Sequence, residues 1–419
     1  MLLSLVTVVG LAGCGGSSDG ASGGSMTLRV SDFGNFGYEK LYRQFEKAHP
    51  GVQVVESAEG DLGQYNTQLT QKIAAGSGAG DVVAIEEGQI VSFLQSADKF
   101  VNFQDHGSNE KKDQWLGWKY AQATTADGSD TIGLCTDVGG MAMCYRRDLF
   151  EQAGLPTDRD AVSKLWPTWE DFTSVGRRFG AGIKNDKVHF VDSSTNTYNA
   201  ILMQSGDHTY FDTDDKLVID SNPAVRTAWD TAVSMADAGI TSRLKSFSNE
   251  WNAGFKNGSF ATVACPAWMT GYIKEQAGDG ASGKWDIASV PGGGGSWGGS
   301  FLAVPTASKH QDMAIKLAYF LSSGTGQLAA FDEVGNLPSN PTLYDKPALR
   351  DFKNPYFNDA PVGQIFAAGA SDLKPVYLGA RNQPVRDAVE NALRSVENGQ
   401  KSPADGWAAA VKDAESAAG

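Results

Sequence analysis

Between residues 26 and 85, short apolar runs alternate with helical periodicity. MTLRVS at 26–31 predicts a strand, and an aromatic, glycine-rich loop, Asp32-Phe33-Gly34-Asn35-Phe36-Gly37-Tyr38, follows it. Leu41, Tyr42, Phe45 and Ala48 recur at helical spacing until Pro50-Gly51 stops them. Residues 52–56 read as a second strand, and YNTQLTQKIAA at 65–75 as an amphipathic helix ended by Gly76-Ser77-Gly78-Ala79-Gly80. DVVAI at 81–85 is a continuous apolar run, the pattern of a strand buried on both faces of a parallel sheet. Asp81 precedes this strand and reads as a structural residue. Strand, helix, strand, helix, strand at this spacing predicts an α/β fold with right-handed crossovers.

A second series begins near Gly133. Strands are expected at 141–145 (MAMCY), 260–265 (FATVAC), 285–290 and 300–304. Helices are expected at 147–154, at 169–179 behind the N-cap Thr168, and at 224–238, 250–257 and 310–322, with a helical tail at 385–397 and 403–414. No repeat of solenoid period is present.

The N-terminal segment reads differently. MLLSLVTVVGL is apolar but too short to cross a bilayer as a helix. It leads into Leu11-Ala12-Gly13-Cys14 and then a Gly/Ser stretch to Ser25. The Leu-Ala-Gly-Cys order resembles the lipobox of bacterial lipoproteins, which implies acylation at Cys14 and a membrane anchor on the extracytoplasmic face. Residues 1–25 are then a signal peptide and a flexible tether.

Composition narrows the function classes. The 419 residues are 41% hydrophobic, enough for two ordinary cores. The net charge of −14, with no basic cluster, argues against a nucleic-acid partner. After Cys14 only Cys135, Cys144 and Cys265 remain, and an exported chain allows one disulfide and one leftover thiol.

Several motifs match on paper and fail on chemistry. Gly278 to Trp285 has phosphate-loop spacing, but Trp285 stands where a Mg²⁺-binding hydroxyl is required. The glycines at 293–298 fit dinucleotide and Gly-x-Ser-x-Gly patterns, but a strand follows where both mechanisms need a helix. Asp212-Thr213-Asp214-Asp215-Lys216 lacks the ligands to close around calcium. No metal or cofactor is expected.

Ordered segments along the chain resemble one family. Pro50-Gly51-Val52, Ala75 to Val83, Gly139 to Phe150, Trp169-Glu170-Asp171-Phe172, Phe255 to Ala261, Pro266-Ala267-Trp268 and Gly299 to Pro305 together resemble bacterial ABC sugar-binding proteins of the maltose-binding type. Within it, the Asn35–Tyr38 loop and Cys144 with Cys265-Pro266-Ala267-Trp268 look most like the cello-oligosaccharide branch. The resemblance implies a type II periplasmic-binding-protein-like fold of two α/β lobes, joined by a hinge and closing on a cleft. Crossings fall near 134–137, 300–304 and 335–339. Lobe one is then 26–136 plus 301–336, and lobe two 137–300 plus 337–419. The family also places Cys144 beside Cys265; Cys135 with Cys144 is the competing pair.

A sugar presents flat C–H faces and a rim of hydroxyls, so recognition needs aromatic planes and planar carboxylates or amides. Trp268, Trp297, Phe36 and Tyr38 are the candidate planes. Asn35, Gln64, Glu86, Glu87 and Asp137 are the candidates for the hydroxyls. Trp115, Trp118, Trp229 and Trp407 lie at helical spacing and read as packing. The expected function is capture of an oligosaccharide and delivery to the permease subunits of an ABC importer, by a monomer and without catalysis. A secreted glycoside hydrolase, or the same fold binding a non-sugar solute, are the alternatives.

Overall fold

The computed structural model describes residues 25–60, 62–371, 373 and 376–419; Cys14 and its tether lie outside them. Two sheets organise the chain. The first contains β1 (Met26–Phe33), β2 (Val52–Glu59), β3 (Val82–Glu86), β4 (Leu134–Cys135) and β9 (Ser300–Ala303), in the order β2-β1-β3-β9-β4. The second contains β5 (Met141–Arg146), β6 (His189–Val191), β7 (Phe260–Pro266) and β8 (Trp285–Ala288), in the order β6-β7-β5-β8.

In the first sheet β1 pairs parallel to both β2 and β3, as its run–helix–run pattern predicts. β9 then returns antiparallel between β3 and β4, a pairing with no local signal. Val82, Val83, Ala84 and Ile85 are all fully buried because β3 sits mid-sheet with helices over it. Helix α1 (Glu39–Ala48) contributes Leu41, Tyr42 and Phe45 to this core, and α2 (Leu62–Ala75) contributes Tyr65, Leu69 and Ile73. The Tyr65 hydroxyl donates to the carbonyls of Ser31 and Ala84, pinning α2 across β1 and β3.

The second sheet is mostly antiparallel. β5 lies between β7 and β8, and every residue of β5 and β7 is buried. Ala142 faces Cys265 and Cys144 faces Val263 across the β5–β7 pair. Cys144 and Cys265 are joined in a disulfide with 5.4 Å between their Cα atoms, and Cys135 is a buried free thiol.

Three stretches carry the chain between the sheets, and they lie side by side. Thr136 donates its amide to Ser300 O, Val138 to Leu337 O, and Trp297 to Gly139 O. Gly139 is required by close approach: a Cβ there would sit 1.8 Å from Trp297 O.

Next to these crossings lies an ion pair with no access to solvent. Lys119, on α4 (Gly117–Gln122) after α3 (Glu87–Leu94), donates to Glu87 Oε2 at 2.9 Å, and Gln122 donates to Oε1 at 3.1 Å. The Lys119 ammonium also sits 4.4 Å above the centroid of the Phe301 ring. Removing one partner strands the other charge in the interior. Lys119→Met is expected to cost about 3–5 kcal/mol in denaturant unfolding, and adding Glu87→Gln to recover much of that loss. Equal stability of the single and double mutants sinks this account.

Candidate functional site

β3 runs into α3 without a loop, so Glu86 and Glu87 end a strand and begin a helix at once. Glu86 is the N-cap, and its carboxylate accepts the Gly88 amide at 2.7 Å. The positive end of the helix dipole favours both carboxylates there. Glu87 N–H donates to Gly299 O, which ties this corner to the β9 crossing.

Opposite stands the helix Asn382–Glu397. Asn382, Arg386 and Glu390 recur every four residues and share one face. Arg386 pairs with Glu390 at 2.7 Å, and the Asn199 amide donates to the same Glu390 oxygen at 2.7 Å. Asn199 belongs to the helix Ser194–Leu202, whose N-cap Ser193 accepts from Asn196 N. The Arg386 guanidinium lies 5.8 Å from the centroid of the Trp297 ring.

These elements enclose a small cavity between the two sheets. Glu86, Glu87 and Gly88 form one wall. Asn199, Leu202, Met203, Thr209, Tyr210, Leu378, Asn382 and Arg386 form the other, and Trp297 with Gly298 lies between. The cavity measures ≈ 20 Å³, room for about one water, against the ~300–1,000 Å³ usual for small-molecule sites. No sugar ring enters without the walls moving apart.

Of the sequence-predicted residues, the structure brings Glu86, Glu87 and Trp297 to the cavity wall. Trp268 is half-buried just outside it: its indole N–H donates to Trp297 O at 3.1 Å, and the ring flanks Gly298. Asp137 is buried at the crossing, where it accepts from the Thr136 hydroxyl at 2.8 Å. Phe36 and Tyr38 pack into the core of the first sheet rather than the cavity wall, because α1 and Phe33 cover their rings. Asn35 is exposed and caps its own turn through the Gly37 amide, and Gln64 is exposed on α2. Glu87 has both oxygens engaged by Lys119 and Gln122, which leaves it a positioning role.

Asn199, Tyr210, Asn382 and Arg386 were not among the predicted residues. Asn199 sits in STNTYNAIL, a helix buried almost all round and so without an amphipathic stripe. Asn382 and Arg386 lie on the polar side of a strongly amphipathic tail helix, which reads as a solvated face. The one available signal is their spacing of four.

The chain matches the bacterial extracellular solute-binding protein family over residues 40–355. It belongs to that family. Its relatives include the lactose-binding protein of Rhizobium radiobacter, 27% identical over 65% of this chain and 64% of that protein. The arabinooligosaccharide-binding protein of Halalkalibacterium halodurans is 23% identical over 69% of this chain and 64% of its own length. The chain thus spans just under two thirds of either relative. Among solved structures, an extracellular solute-binding protein of family 1 superposes with a TM-score of 0.82 at 40% identity, covering 94% of this chain and all of that one. The ABC transporter-associated binding protein of B. animalis subsp. lactis, solved with β-1,6-galactobiose, superposes at 0.80 with 21% identity, over 92% and 96% of the two chains; this likeness is one of fold. The fold it shares with these structures has two α/β lobes, and the cavity of this solute-binding protein lies between the two sheets.

Burial lifts the Glu86 carboxyl from the ordinary 4.5 to about 7, opposed by Arg386 and aided by Glu87. Burial likewise lifts Asp192 to about 7 and, with the neighbouring Glu56, Asp32 to about 8. A carboxyl raised on folding binds more protons in the folded state, so it favours folding in acid and loses that contribution as pH climbs to the folded value. Stability is therefore expected to fall between about pH 3.8 and 8 through these groups, and Glu86→Gln to flatten the fall between about 4.5 and 7. Melting curves across this range check it; an unchanged slope in Glu86→Gln refutes the burial of this carboxyl.

Proposed function

We propose that this protein captures a carbohydrate outside the cytoplasm and hands it, chemically unchanged, to an ABC importer. The observation that carries the reading is the make-up of the cavity between the sheets: one indole plane, Trp297, rimmed by the planar groups of Asn199, Asn382, Arg386 and Glu86. Planes of this kind suit pyranose faces, and the amides, guanidinium and carboxylate suit ring hydroxyls. The names of the two relatives and the galactobiose in the similar structure agree in ligand class. A cello-oligosaccharide is the member of that class favoured by the Asn35–Tyr38 loop and the Cys265-Pro266-Ala267-Trp268 segment.

In this reading the lobes are 26–136 plus 301–336 and 137–300 plus 337–419, and the paired crossings are the hinge. Ligand enters when the lobes part, and their closure brings Trp297 and Arg386 against Glu86. A glycoside hydrolase needs two carboxyl groups free to act as acid and as nucleophile or base. Glu86, lifted by burial, suits an acid, but Glu87 beside it is neutralised by Lys119. That difference favours binding over turnover.

A thermal-shift screen over disaccharides and trisaccharides is expected to find one that raises the melting temperature, with ~2.7 kcal/mol of stabilisation at a hundredfold excess over Kd. The same sugar is recovered intact by chromatography. A panel without any shift removes the carbohydrate reading, and cleaved sugar moves the protein to the hydrolases.

The chain acts as a monomer held to the membrane by lipid on Cys14, with no helix among the described residues long and apolar enough to span a bilayer. Cys14→Ser is expected to release it from the membrane fraction into the medium. Continued sedimentation with membranes contradicts the anchor.

A further inference from the structure

A larger cavity lies at the opposite end of β3 from Glu86. It measures ≈ 50 Å³, room for about three waters or one tetrahedral oxyanion. Three segments build it: the loop Gly76-Ser77-Gly78-Ala79-Gly80 that carries the chain from α2 into β3, Lys99 in the short turn Ala97–Lys99 after α3, and Pro305-Thr306-Ala307 after β9. Hydrogen bonds lock them together. Thr306 N–H donates to Lys99 O at 2.8 Å, the Ser31 hydroxyl to Ala79 O at 2.7 Å, and the Ser308 hydroxyl to Asp81 Oδ1 at 2.6 Å. Gly80 is required by close approach, since a Cβ there would come 2.9 Å from Ser31 Oγ.

The lining has the chemistry of an anion cradle. Gly76, Gly78 and Gly80 are left-handed, with φ of 65°, 81° and 112°, and alternate with Ser77 and Ala79, which are not. Alternation of this kind turns successive N–H groups toward one concavity. Among the described residues no acceptor takes up the amides of Gly78, Ala79 or Gly80, although Ala79 is buried. Two cations flank the loop. Lys72, in the last turn of α2, reaches only a neutral acceptor, Gln68 Oε1 at 3.4 Å. Lys99 pairs at 3.2 Å with Asp98, which is 74% exposed, so water screens that contact. The adjoining carboxylate of Asp81 is already engaged, accepting the Arg29 amide on Oδ2 and the Ser308 hydroxyl on Oδ1. In a chain of net charge −14, free donors and positive charge are gathered at this one end of the first lobe.

We propose that this cavity binds a phosphate group, whose oxygens accept from the loop amides and from the ammonium groups of Lys72 and Lys99. The site goes beyond carbohydrate capture and stands without it. Free phosphate and a phospholipid headgroup share this chemistry, and the position of the site favours the headgroup. β1 and β3 run parallel and both start at this end, where Asp81 N–H donates to Arg29 O. Met26, at which the tether joins the fold, stands three residues before Arg29, a span of about 10 Å. With lipid on Cys14, residues 15–25 reach at most about 40 Å. The tether thus keeps this end of the lobe within reach of the headgroups at high effective concentration. The choice of source rests on the Cys14 anchor; the anion site does not.

Two arms separate the sources. In the first, inorganic phosphate is titrated into the full chain in detergent, and binding is read from phosphorus NMR line widths. Lys72→Gln and Lys99→Gln are each expected to weaken it about fivefold. Lys412→Gln, the same loss of charge at an exposed position on the helix Pro403–Ala418, leaves it unchanged. Melting temperatures confirm that the variants fold. In the second arm, the lipidated chain is reconstituted on vesicles of phosphatidylcholine with or without phosphatidylglycerol, and acetylation of each lysine is read by mass spectrometry. Phosphatidylglycerol is expected to slow acetylation of Lys72 and Lys99 about fivefold relative to Lys412. Phosphate binding without protection on vesicles supports the anion site and overturns the headgroup as its source. Protection without phosphate binding supports the headgroup alone. Binding that Lys412→Gln weakens as much as Lys72→Gln, or protection spread evenly over all lysines, reports general charge and overturns the site, as does no effect in either arm. Neither arm contains sugar, so failure here leaves the carbohydrate reading standing. A chain that carries no lipid on Cys14 overturns the headgroup source, and the phosphate arm alone then decides the site.

Discussion

Gly139 and Trp297 meet backbone to backbone, and the shape of the cavity depends on that contact. The Trp297 amide reaches Gly139 O at 2.8 Å, and no other residue fits at 139 because any Cβ would collide with the Trp297 carbonyl. The same carbonyl accepts the Trp268 indole N–H. One pairing therefore fixes the indole that lines the cavity and the orientation of the next ring along. Since these residues lie on segments crossing between the sheets, whatever moves one sheet against the other acts directly on the rings at the cavity.

Charge is distributed around this junction with the same economy. Glu86 and Glu87 are adjacent in sequence and both buried, yet their roles diverge because of where their partners stand. Glu87 points toward Lys119 and Gln122 inside its own lobe and is fully satisfied. Glu86 keeps a single backbone amide as partner and faces Arg386 on the other side of the cavity. Its charge is thus coupled to how near the opposite wall stands. Arg386 in turn is steadied by Glu390, which also anchors Asn199, so the wall is one hydrogen-bonded unit rather than separate side chains.

Aromatic residues divide by the same logic of cover. Phe36 and Tyr38 lie in a loop that α1 and Phe33 roof over, so they stabilise the first lobe's core. Trp115 and Trp229 are buried, as their helical spacing suggested, and Trp407 packs edge-on against Trp229. Trp297 is as buried as Phe36, yet it stands on the cavity wall, while Trp268 beside it is half-buried and Phe247 is exposed.

Local pattern carried most of the elements: the strand–helix alternation from Met26 to Glu86, the buried runs of β5 and β7, and the tail helices are legible because burial on one or two faces imposes its own period. The resemblance carried by the ordered segments led to the family and the two-lobed fold. Glu86, Glu87 and Trp297 were legible too, as polar or aromatic residues at strand ends and in a glycine loop. Sequence could not tell Glu87 from Glu86, because the difference lies in Lys119, thirty-two residues on. Nor could it find Asn199 or Arg386, which come from helices 187 residues apart and become wall residues only when β9 and the crossings bring both lobes together. Periodicity reports what a segment does with its own neighbours. Which exposed faces end up confronting one another is decided by chain crossings of long range, and those exist only in the folded molecule.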